Sequence, residues 1–376
     1  MFKELPIIID PHVHLRVPGG EHKEDWVTGS KAALSGGIGM VFDMPNNNPS
    51  IDSVKFLEEK KEIIEKQLSE QSYPLKYKLY FGAAKDNIEE IKKLNKEDIA
   101  GIKLFIGSST GSLLVDRDED IEKVFKAAQE KDFIVSVHAE DENVIQNNAE
   151  KYKGETDISF HSKIRDREAE IRAIGRAINI TRKVGNKLYI CHLSTKEGLD
   201  LVRKAKEEGL KVYCEVCAHH LIFTTEDYAK LGTKIKINPP IRDKEDVEAL
   251  WNGINDGTID TLSTDHAPHT LEEKNQDLWS APSGMPGVEL LLPLMLNSVN
   301  KGKITLEKLA DLMHNNVVKI FELEKIEGKT IIDMDLEKEV KDSDIKSKCG
   351  WSPYTGRKLK GWPIKVITNN KEYSCN

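Results

Sequence analysis

The sequence predicts an α/β fold, a (β/α)8 TIM-like barrel with a small, incomplete β appendage built mainly from the C-terminal segment. Two observations predict the barrel. Short apolar runs rich in β-branched residues alternate along the chain with amphipathic helical patterns, which is typical of a parallel sheet. Eight such units can be counted, the number that closes into a barrel, and 376 residues suit a barrel with insertions.

The apolar runs define the predicted strands, which cover residues 7–15, 38–44, 76–83, 101–106, 134–138, 188–192, 211–217 and 261–264. The clearest helical patterns cover residues 53–69, 118–130, 165–183, 195–208 and 244–255, and one more helix is predicted over residues 306–321. From residue 328 the chain turns to short strand-like pieces with Pro and Gly, which predict the β appendage. We therefore divide the chain into a barrel over residues 7–325 and an appendage over residues 326–376, which residues 1–6 join.

Charge and apolar content limit the expected setting of the protein. The net charge is −8 and no concentrated basic stripe is found, which argues against a nucleic-acid partner. No apolar run approaches the ~20 residues of a membrane span, and no secretory signal is visible at the start of the sequence. Five cysteines, an odd number without a secreted framework, indicate a reducing compartment. We therefore expect a cytoplasmic protein.

Four histidines and one aspartate stand where predicted strands end. His12 and His14 follow a run of three isoleucines, and residues two apart on a strand point to the same side. His138 and His192 close two later strands, and Asp265 follows the last one. Each alone is explained as a hydrogen-bonded polar residue. Together they project into one mouth of the barrel, where such folds place active sites, and imidazole with carboxylate suits Zn, Mn, Co or Fe. The set predicts a two-metal site.

Lys103 lies inside a predicted strand, between apolar neighbours. A charged lysine there is costly unless the charge is paired or removed. An ordinary salt bridge would pair it, or Lys103 would stand at the end of its strand. Carbamylation by carbon dioxide would remove it and would give a carboxylate able to bridge two metals. The residues alone favour the salt bridge or the strand-end position over carbamylation.

A further polar patch opens a predicted helix. It consists of His161, Arg165, Arg167, Glu168 and Glu170. Pairing near the helix terminus is its ordinary explanation, and we assign it no chemical role.

Several motifs together resemble one known family. They are Asp10-Pro11-His12-Val13-His14-Leu15-Arg16, Met44-Pro45-Asn46, Lys236-Ile237-Asn238-Pro239-Pro240-Ile241-Arg242, Ser263-Thr264-Asp265-His266-Ala267-Pro268-His269 and Ser352-Pro353-Tyr354-Thr355-Gly356. In order and spacing they are similar to the dihydroorotase family of the amidohydrolase superfamily, the type with two metals and a carboxylated lysine. The resemblance runs from Asp10 to about Ile367.

The resemblance implies a reaction and a set of ligands. The reaction is the reversible interconversion of N-carbamoyl-L-aspartate and L-dihydroorotate plus water, in de novo pyrimidine (UMP) biosynthesis. The cofactors would be two Zn²⁺ per subunit, with other divalent metals left open. His12, His14 and Asp265 would bind one metal and His138 and His192 the other. Lys103, as N-carboxylysine, and a hydroxide would bridge them. Asp265 would carry the proton from the attacking hydroxide to the ring nitrogen.

The resemblance also implies how substrate is held. Arg16, Asn46 and His269 would bind the substrate carboxylate and Asn238 the ring, with Pro286 and Gly287 in a loop that lines the same pocket. Dihydropyrimidinases (hydantoinases) and allantoinases, the nearest alternative, act on rings without that carboxylate, so Arg16 favours dihydroorotase. An alternative of another class is a non-catalytic scaffold homologue, and the presence of all six ligands argues against it.

The sequence departs from the family at its start. Relatives usually carry some tens of residues before the metal strand, where this chain has only Met1 to Pro6. The resemblance therefore implies a small β domain that is half missing. It implies a small-molecule substrate and leaves open a homo-oligomer, an association with aspartate transcarbamoylase, and the native metal.

Overall fold

Eight parallel strands form a barrel at the centre of the molecule and confirm the predicted fold class. The computed structural model describes residues 1–107, 113–324, 326–368 and 371–375. The barrel strands, in their spatial order, are β2 (Ile8–Val13), β3 (Ile38–Asp43), β4 (Lys76–Gly82), β5 (Gly101–Phe105), β6 (Ile134–His138), β7 (Lys187–Ile190), β8 (Val212–Cys217) and β9 (Thr261–Ser263). All residues of β2, β3, β5 and β6 are buried, as expected of strands covered on both faces.

Side chains and single backbone bonds close the barrel between its first and last strands. The carboxylate of Asp10 on β2 accepts the backbone N–H of Thr264 at 3.1 Å and its hydroxyl at 2.5 Å. Just beyond the two strands, the backbone N–H of His14 donates to the carbonyl oxygen of His266 at 2.7 Å. The closure therefore lies directly beside Asp265.

Helices surround the barrel, and the five that the sequence predicts most clearly between the strands are present within two residues of their expected ends. The helices are α1 (Trp26–Ser35), α2 (Val54–Gln71), α3 (Ile88–Lys93), α4 (Asp118–Glu130), α5 (Glu142–Lys151), α6 (Phe160–Ile164), α7 (Arg167–Val184), α8 (Lys196–Glu207), α9 (Ala218–Ile222), α10 (Tyr228–Leu231), α11 (Lys244–Asp256), α12 (Leu271–Lys274), α13 (Leu291–Asn300), α14 (Leu306–Ala310) and α15 (Asn316–Ile320). None of the described helices combines the length and the apolar character that a membrane crossing needs.

The single helix expected over residues 306–321 is divided in three. A wider, π-helical turn, Asp311–Asn315, separates α14 from α15. It carries His314, whose Nδ1 lies 2.7 Å from the carbonyl oxygen of Ile7 at the start of β2. The hydrophobic period of the sequence continues through this turn, which explains why one regular helix is predicted there.

Aromatic rings fill the interior of the barrel. Phe321, directly after α15, packs edge-on against Phe42, Tyr80 and Tyr189, one ring from each of three strands. Ile134, the first residue of β6, belongs to the same buried cluster. Phe321, which follows the last barrel helix, therefore packs into the interior of the barrel.

A second, antiparallel sheet lies beside the barrel, with the strand order β1 (Phe2–Pro6), β10 (Gly328–Glu339), β11 (Lys358–Thr368) and β12 (Lys371–Ser374). β1 pairs with β10 from Phe2 opposite Asp333 to Pro6 opposite Lys329, so residues 1–6 join the C-terminal strands. Ile332 and Val366 of this sheet belong to the same buried cluster as barrel residues. The division at residues 325 and 326 stays a prediction, and Lys325 itself lies outside the described residues.

Candidate metal and substrate site

A cavity of about 360 Å³ opens at the mouth of the barrel where the strands end. It brings together ten of the residues that the sequence singles out: His12, His14, Arg16, Asn46, Lys103, His138, His192, Asn238, Asp265 and His269. Pro286 and Gly287 are not among its lining residues. They line a separate cavity of about 10 Å³ with His266, and Ala281, Pro282, Ser283 and Gly284 occupy the wall of the main cavity in their place.

One group of ligand atoms converges on Asp265. Its Oδ1 is 3.3 Å from Nε2 of His12 and 3.0 Å from Nε2 of His14. These two imidazoles and the carboxylate offer three ligand atoms that all lie within 4.8 Å of one another. The spacing of two residues at the end of β2 therefore does place both histidines on one side, as the strand geometry requires.

A second pair of imidazoles lies next to the first group. Nδ1 of His138 is 2.9 Å from Nε2 of His192, and the ring of His192 is 5.4 Å from the ring of His12. Nδ1 of His192 is buried and has no hydrogen-bond partner among the described residues. The strand predicted to end at His192 stops at Ile190, so His192 stands two residues beyond β7.

Three of these residues adopt a left-handed backbone conformation where the chain leaves the strands. The φ angles are 65° at Arg16, 38° at His192 and 46° at Asp265. For residues with a Cβ atom this conformation costs roughly 1–2 kcal/mol each. Such strain is typical of functional sites. Here the side chains of all three residues line the cavity at the mouth of the barrel.

Lys103 is 1% exposed, in the middle of the histidines. Its Nζ lies 3.1 Å from Sγ of Cys191 and 5.0 Å from the centre of the Phe105 ring. No carboxylate of the described residues lies within 4.0 Å of this ammonium group. The salt bridge considered from sequence is therefore not formed by the part of the chain that the structure describes.

The electrostatics of the cluster suit the ligand forms of these side chains. Burial lowers the pKa of His14 to about 4, and burial with the nearby His138 and Lys103 lowers the pKa of His192 well below its usual value. Although burial opposes it, the charges of His12 and His14 hold the pKa of Asp265 well below its usual range. Metals bind neutral imidazole and ionised carboxylate, so these groups are in the required states.

His12 differs from the other histidines. Burial disfavours its charged form, but the carboxylates of Glu215 and Asp265 outweigh this and raise the pKa of His12 to about 10. The two carboxylates therefore favour a positive charge at this imidazole. A divalent cation bound to Nε2 would compensate their negative charge in the same way as a proton. Four imidazoles, one carboxylate and a buried lysine are a donor set that fits divalent metal ions.

Two buried carboxylates that the sequence analysis did not single out support the histidines from behind. Oε1 of Glu215 is 2.5 Å from Nδ1 of His12 and accepts the backbone N–H of His192 at 3.0 Å. Oε2 of Glu140 is 2.8 Å from Nε2 of His138. A signal for Glu215 was available, since a charged residue inside a buried strand needs a partner, as Lys103 does.

Two residues of the polar patch around His161, Arg165 and Glu170, have partners other than those expected near a helix terminus. Arg165 donates to both carboxylate oxygens of Glu140, which in turn contacts His138. Glu170 accepts the backbone N–H of Ser194 at 2.7 Å. These partners lie in loops at the mouth of the barrel, far apart in sequence, and helix periodicity carries no information about them.

The remaining residues of the cavity could hold an anionic ligand. Nε of Arg16 donates to the carbonyl oxygen of Pro268 at 3.2 Å, and its Nη2 is 3.1 Å from Nε2 of His269. The side-chain oxygens of Asn46 and Asn238 are buried without a partner among the described residues. A bound molecule in the cavity would find a cation and two amide oxygens that can accept hydrogen bonds.

Comparison with known proteins shows similarity over nearly the whole chain. Residues 5–326 match the amidohydrolase family. The chain is 37% identical over 369 residues to a dihydroorotase of Methanosarcina mazei, covering 94% of this chain and 79% of that protein. It is 35% identical over 367 residues to multifunctional protein CAD of Squalus acanthias, covering 96% of this chain and 14% of that protein. L-Hydantoinase (dihydropyrimidinase) from Arthrobacter aurescens superposes with a TM-score of 0.93 at 28% identity, covering 98% of this chain and 84% of that one.

Proposed function

Since this chain belongs to the amidohydrolase family and is similar over most of its length to dihydroorotases, we propose that it interconverts N-carbamoyl-L-aspartate and L-dihydroorotate. The observation that carries the choice of substrate is Arg16, which reaches the cavity next to the histidines. A guanidinium group matches a carboxylate in a bidentate geometry, and the dihydroorotate ring carries a carboxylate.

We propose that His12, His14 and Asp265 hold one divalent metal and that His138 and His192 hold a second. Lys103, as N-carboxylysine, would join them, and zinc is the metal we expect. When bound, such ions supply Lewis acidity at the amide carbonyl and water activated near neutral pH.

The side chains of this chain then have distinct roles. Asp265 lies within 3.3 Å of Nε2 of both His12 and His14, at the centre of the ligand group. We assign it the transfer of a proton from the attacking water to the departing ring nitrogen. Arg16 and Asn46 hold the carboxylate so that the ring amide faces Asp265, and such positioning lowers the entropic part of the barrier. His269 acts on the carboxylate through its contact with Arg16. Asn238 would bind a polar group of the ring.

A second candidate function is a hydantoinase-like activity on neutral rings, because the hydantoinase fold superposes so closely. Arg16 separates the two candidates. A neutral ring offers no anion to Arg16, whose Nη2 has no carboxylate partner within 4.0 Å among the described residues.

The test is a parallel turnover assay of the zinc-loaded protein on L-dihydroorotate and dihydrouracil. Turnover of dihydroorotate alone is expected. Replacing Arg16 by Ala should lower kcat/KM for dihydroorotate by about 30-fold or more, since truncating one partner of a buried charge pair costs roughly 2–5 kcal/mol. Turnover of dihydrouracil alone would establish the hydantoinase-like function, and turnover of neither with metal bound would contradict both.

We infer a cytoplasmic setting and a small-molecule substrate, without nucleic acid or membrane. The match to one segment of a multifunctional protein is compatible with a partner enzyme. Aspartate transcarbamoylase is the partner we would test, by gel filtration of the mixed proteins, and the same column would report a homo-oligomer.

A further inference from the structure

The imidazole of His269 lies between two cations at the wall of the cavity. Its Nδ1 is 3.1 Å from Nζ of Lys23, and its Nε2 is 3.1 Å from Nη2 of Arg16. The side chain of His269 is 8% exposed and that of Lys23 is 19% exposed, so water competes little for these contacts. The two cations therefore affect which ring nitrogen of the imidazole carries the proton.

Ammonium and guanidinium groups have only donors, whereas a neutral imidazole has one N–H and one acceptor nitrogen. Burial, together with the charges of Arg16 and Lys23, lowers the pKa of His269 to about 2, so the ring is neutral. His269 can therefore accept a hydrogen bond from only one of its two cationic neighbours. The other cation faces an N–H and must find its acceptor elsewhere. Lys23 also pairs with Oε1 of Glu273 at 3.0 Å, and its three N–H donors allow it to keep this ion pair while it donates to His269.

A backbone carbonyl decides between the two arrangements. The carbonyl oxygen of Ser283 is 3.1 Å from Nε2 of His269, and a carbonyl oxygen only accepts. With the proton on Nε2, His269 donates to Ser283, and Nδ1 accepts from Lys23. A competing acceptor for a proton on Nδ1 is Oε2 of Glu273, which is farther away at 3.5 Å and already accepts the backbone N–H of Thr270 at 3.0 Å.

We propose that Lys23 is a positioning residue that keeps the proton of His269 on Nε2 and thereby leaves an N–H of Arg16 free for the carboxylate of the substrate. Nη2 of Arg16 then finds no acceptor in His269. Nε of its guanidinium group donates to the carbonyl oxygen of Pro268, and the residue lines the cavity. Lys23 thus acts on specificity for anionic rings through His269 and Arg16. The inference deepens the proposed function and rests on it only for the identity of the anion.

Removing Lys23 should reverse this arrangement. Without the ammonium group, the imidazole can carry its proton on Nδ1, facing Glu273, and Nε2 becomes an acceptor for Arg16. An N–H of Arg16 is then used inside the protein. The loss of one charge-assisted hydrogen bond to the substrate carboxylate predicts a KM for dihydroorotate about tenfold higher, with kcat changed less than about twofold.

The first experiment reads the tautomer directly and needs no substrate. ¹⁵N NMR of the zinc-loaded protein with labelled histidine distinguishes a protonated Nδ1 from a protonated Nε2, and the His269 signals are assigned by their absence in a His269→Gln variant. We expect Nε2–H in the wild type and in Lys23→Arg, and Nδ1–H in Lys23→Met. A wild type with Nδ1–H, or a Lys23→Met variant that keeps Nε2–H, would overturn the proposal.

The second experiment compares kinetics and binding of orotate, a carboxylate analogue. Lys23→Met should raise KM and weaken orotate binding, and Lys23→Arg should restore both. Lys61→Met is the matched control, because Lys61 is 21% exposed and pairs with Glu58 and Asp98 away from the cavity. Equal KM and orotate affinity in wild type and Lys23→Met would contradict the proposal. A wild type with Nε2–H that fails to turn over dihydroorotate would instead contradict the proposed function alone.

Discussion

At the scale of single residues, the buried carboxylates determine which nitrogen of each histidine faces the proposed metals. Glu215 contacts Nδ1 of His12, which leaves Nε2 to face Asp265. Glu140 contacts Nε2 of His138, which leaves Nδ1 to face His192. A carboxylate behind a histidine fixes the tautomer and the ring orientation and makes the other nitrogen a better ligand. We therefore expect His12 to bind through Nε2 and His138 through Nδ1.

Replacing Glu215 by Gln should weaken zinc binding by about 10–100-fold, the usual effect of losing such a supporting partner. Competition with a chromogenic chelator measures the affinity. Glu245→Gln is a suitable control, because Glu245 is 71% exposed and pairs only with Lys196 among the ion pairs of the described residues. Unchanged zinc affinity in Glu215→Gln would show that the contact with His12 does not support a metal.

Replacing Asp265 by Ala should abolish turnover even in protein that still binds metal. The loss of a general acid–base group alone costs about 10²–10⁴-fold in rate. Metal content by atomic spectroscopy, measured on the same sample as kcat, separates loss of proton transfer from loss of metal. Activity close to that of the wild type would refute the role assigned to Asp265.

The sequence predicts the site to the extent that its residues follow strands. Histidines at the ends of apolar runs can be expected to meet at one mouth, since parallel strands end on the same side. Pro286 and Gly287 could not be placed this way, because a loop without periodicity decides whether they or residues 281–284 face the cavity. The contact of Arg165 with Glu140 could not be predicted for a similar reason, since Glu140 lies on another loop.

At the scale of elements, helix α2 anchors the loop that carries Asn46. Lys60, on the buried side of α2, forms an ion pair with Asp43 at the end of β3, and both side chains are fully buried. Nζ of Lys60 also donates to the carbonyl oxygen of Met44 at 3.1 Å and to the side-chain oxygen of Asn47 at 2.8 Å. The helix thus holds both sides of the turn in which Asn46 stands.

Replacing Lys60 by Met should lower the free energy of unfolding by about 3–5 kcal/mol, because it leaves the buried Asp43 without its partner. Urea unfolding followed by circular dichroism measures the change. Lys61→Met, the next residue on the same helix, should cost about 1 kcal/mol or less, because Lys61 pairs with the solvent-accessible carboxylates of Glu58 and Asp98. A similar loss in both variants would mean that the helix, rather than the buried pair, is disturbed.

At the scale of the whole molecule, two carboxylates clamp the chain between β10 and β11 onto the barrel. Glu289 accepts the backbone N–H groups of Lys346 at 2.9 Å and Ser347 at 3.1 Å. Glu24, which is fully buried, accepts the hydroxyl of Ser347. Close by, the indole N–H of Trp351 donates to the carbonyl oxygen of His269 at 2.8 Å. The second sheet is therefore connected to the wall of the cavity.

Burial raises the pKa of Glu289 to about 7, against a lowering by the N–H groups of Lys346 and Ser347. Because the folded state then holds this proton more tightly than the unfolded state, the contribution is fully present below about pH 4.5 and is lost as pH rises to about 7. The amount is about 1–3 kcal/mol. Replacing Glu289 by Gln should flatten this part of the unfolding free energy against pH, whereas Glu62→Gln at an exposed position should not. Parallel pH profiles of the wild type and Glu289→Gln would contradict the expected linkage.

The fold class could be predicted from the alternation of strands and helices and from the number of strands. The contacts of Glu24 and Glu289 with the chain between β10 and β11 could not. Glu24 and Ser347 are separated by 323 positions, and no local pattern predicts contacts across such a distance. The small β appendage is a four-stranded sheet in which β1 forms one edge. Only five residues are needed for that strand, too few for a periodic signal.

The aromatic rings inside the barrel affect how substrate and product reach and leave the cavity. Phe321 and the three rings around it fill the interior of the barrel in the part of the chain that the structure describes. We therefore expect substrate, water and product to enter and leave through the mouth of the barrel, where the cavity opens. Because substrate and product of the proposed reaction would bind in the same cavity, accumulated product should compete with fresh substrate in both directions of the reaction.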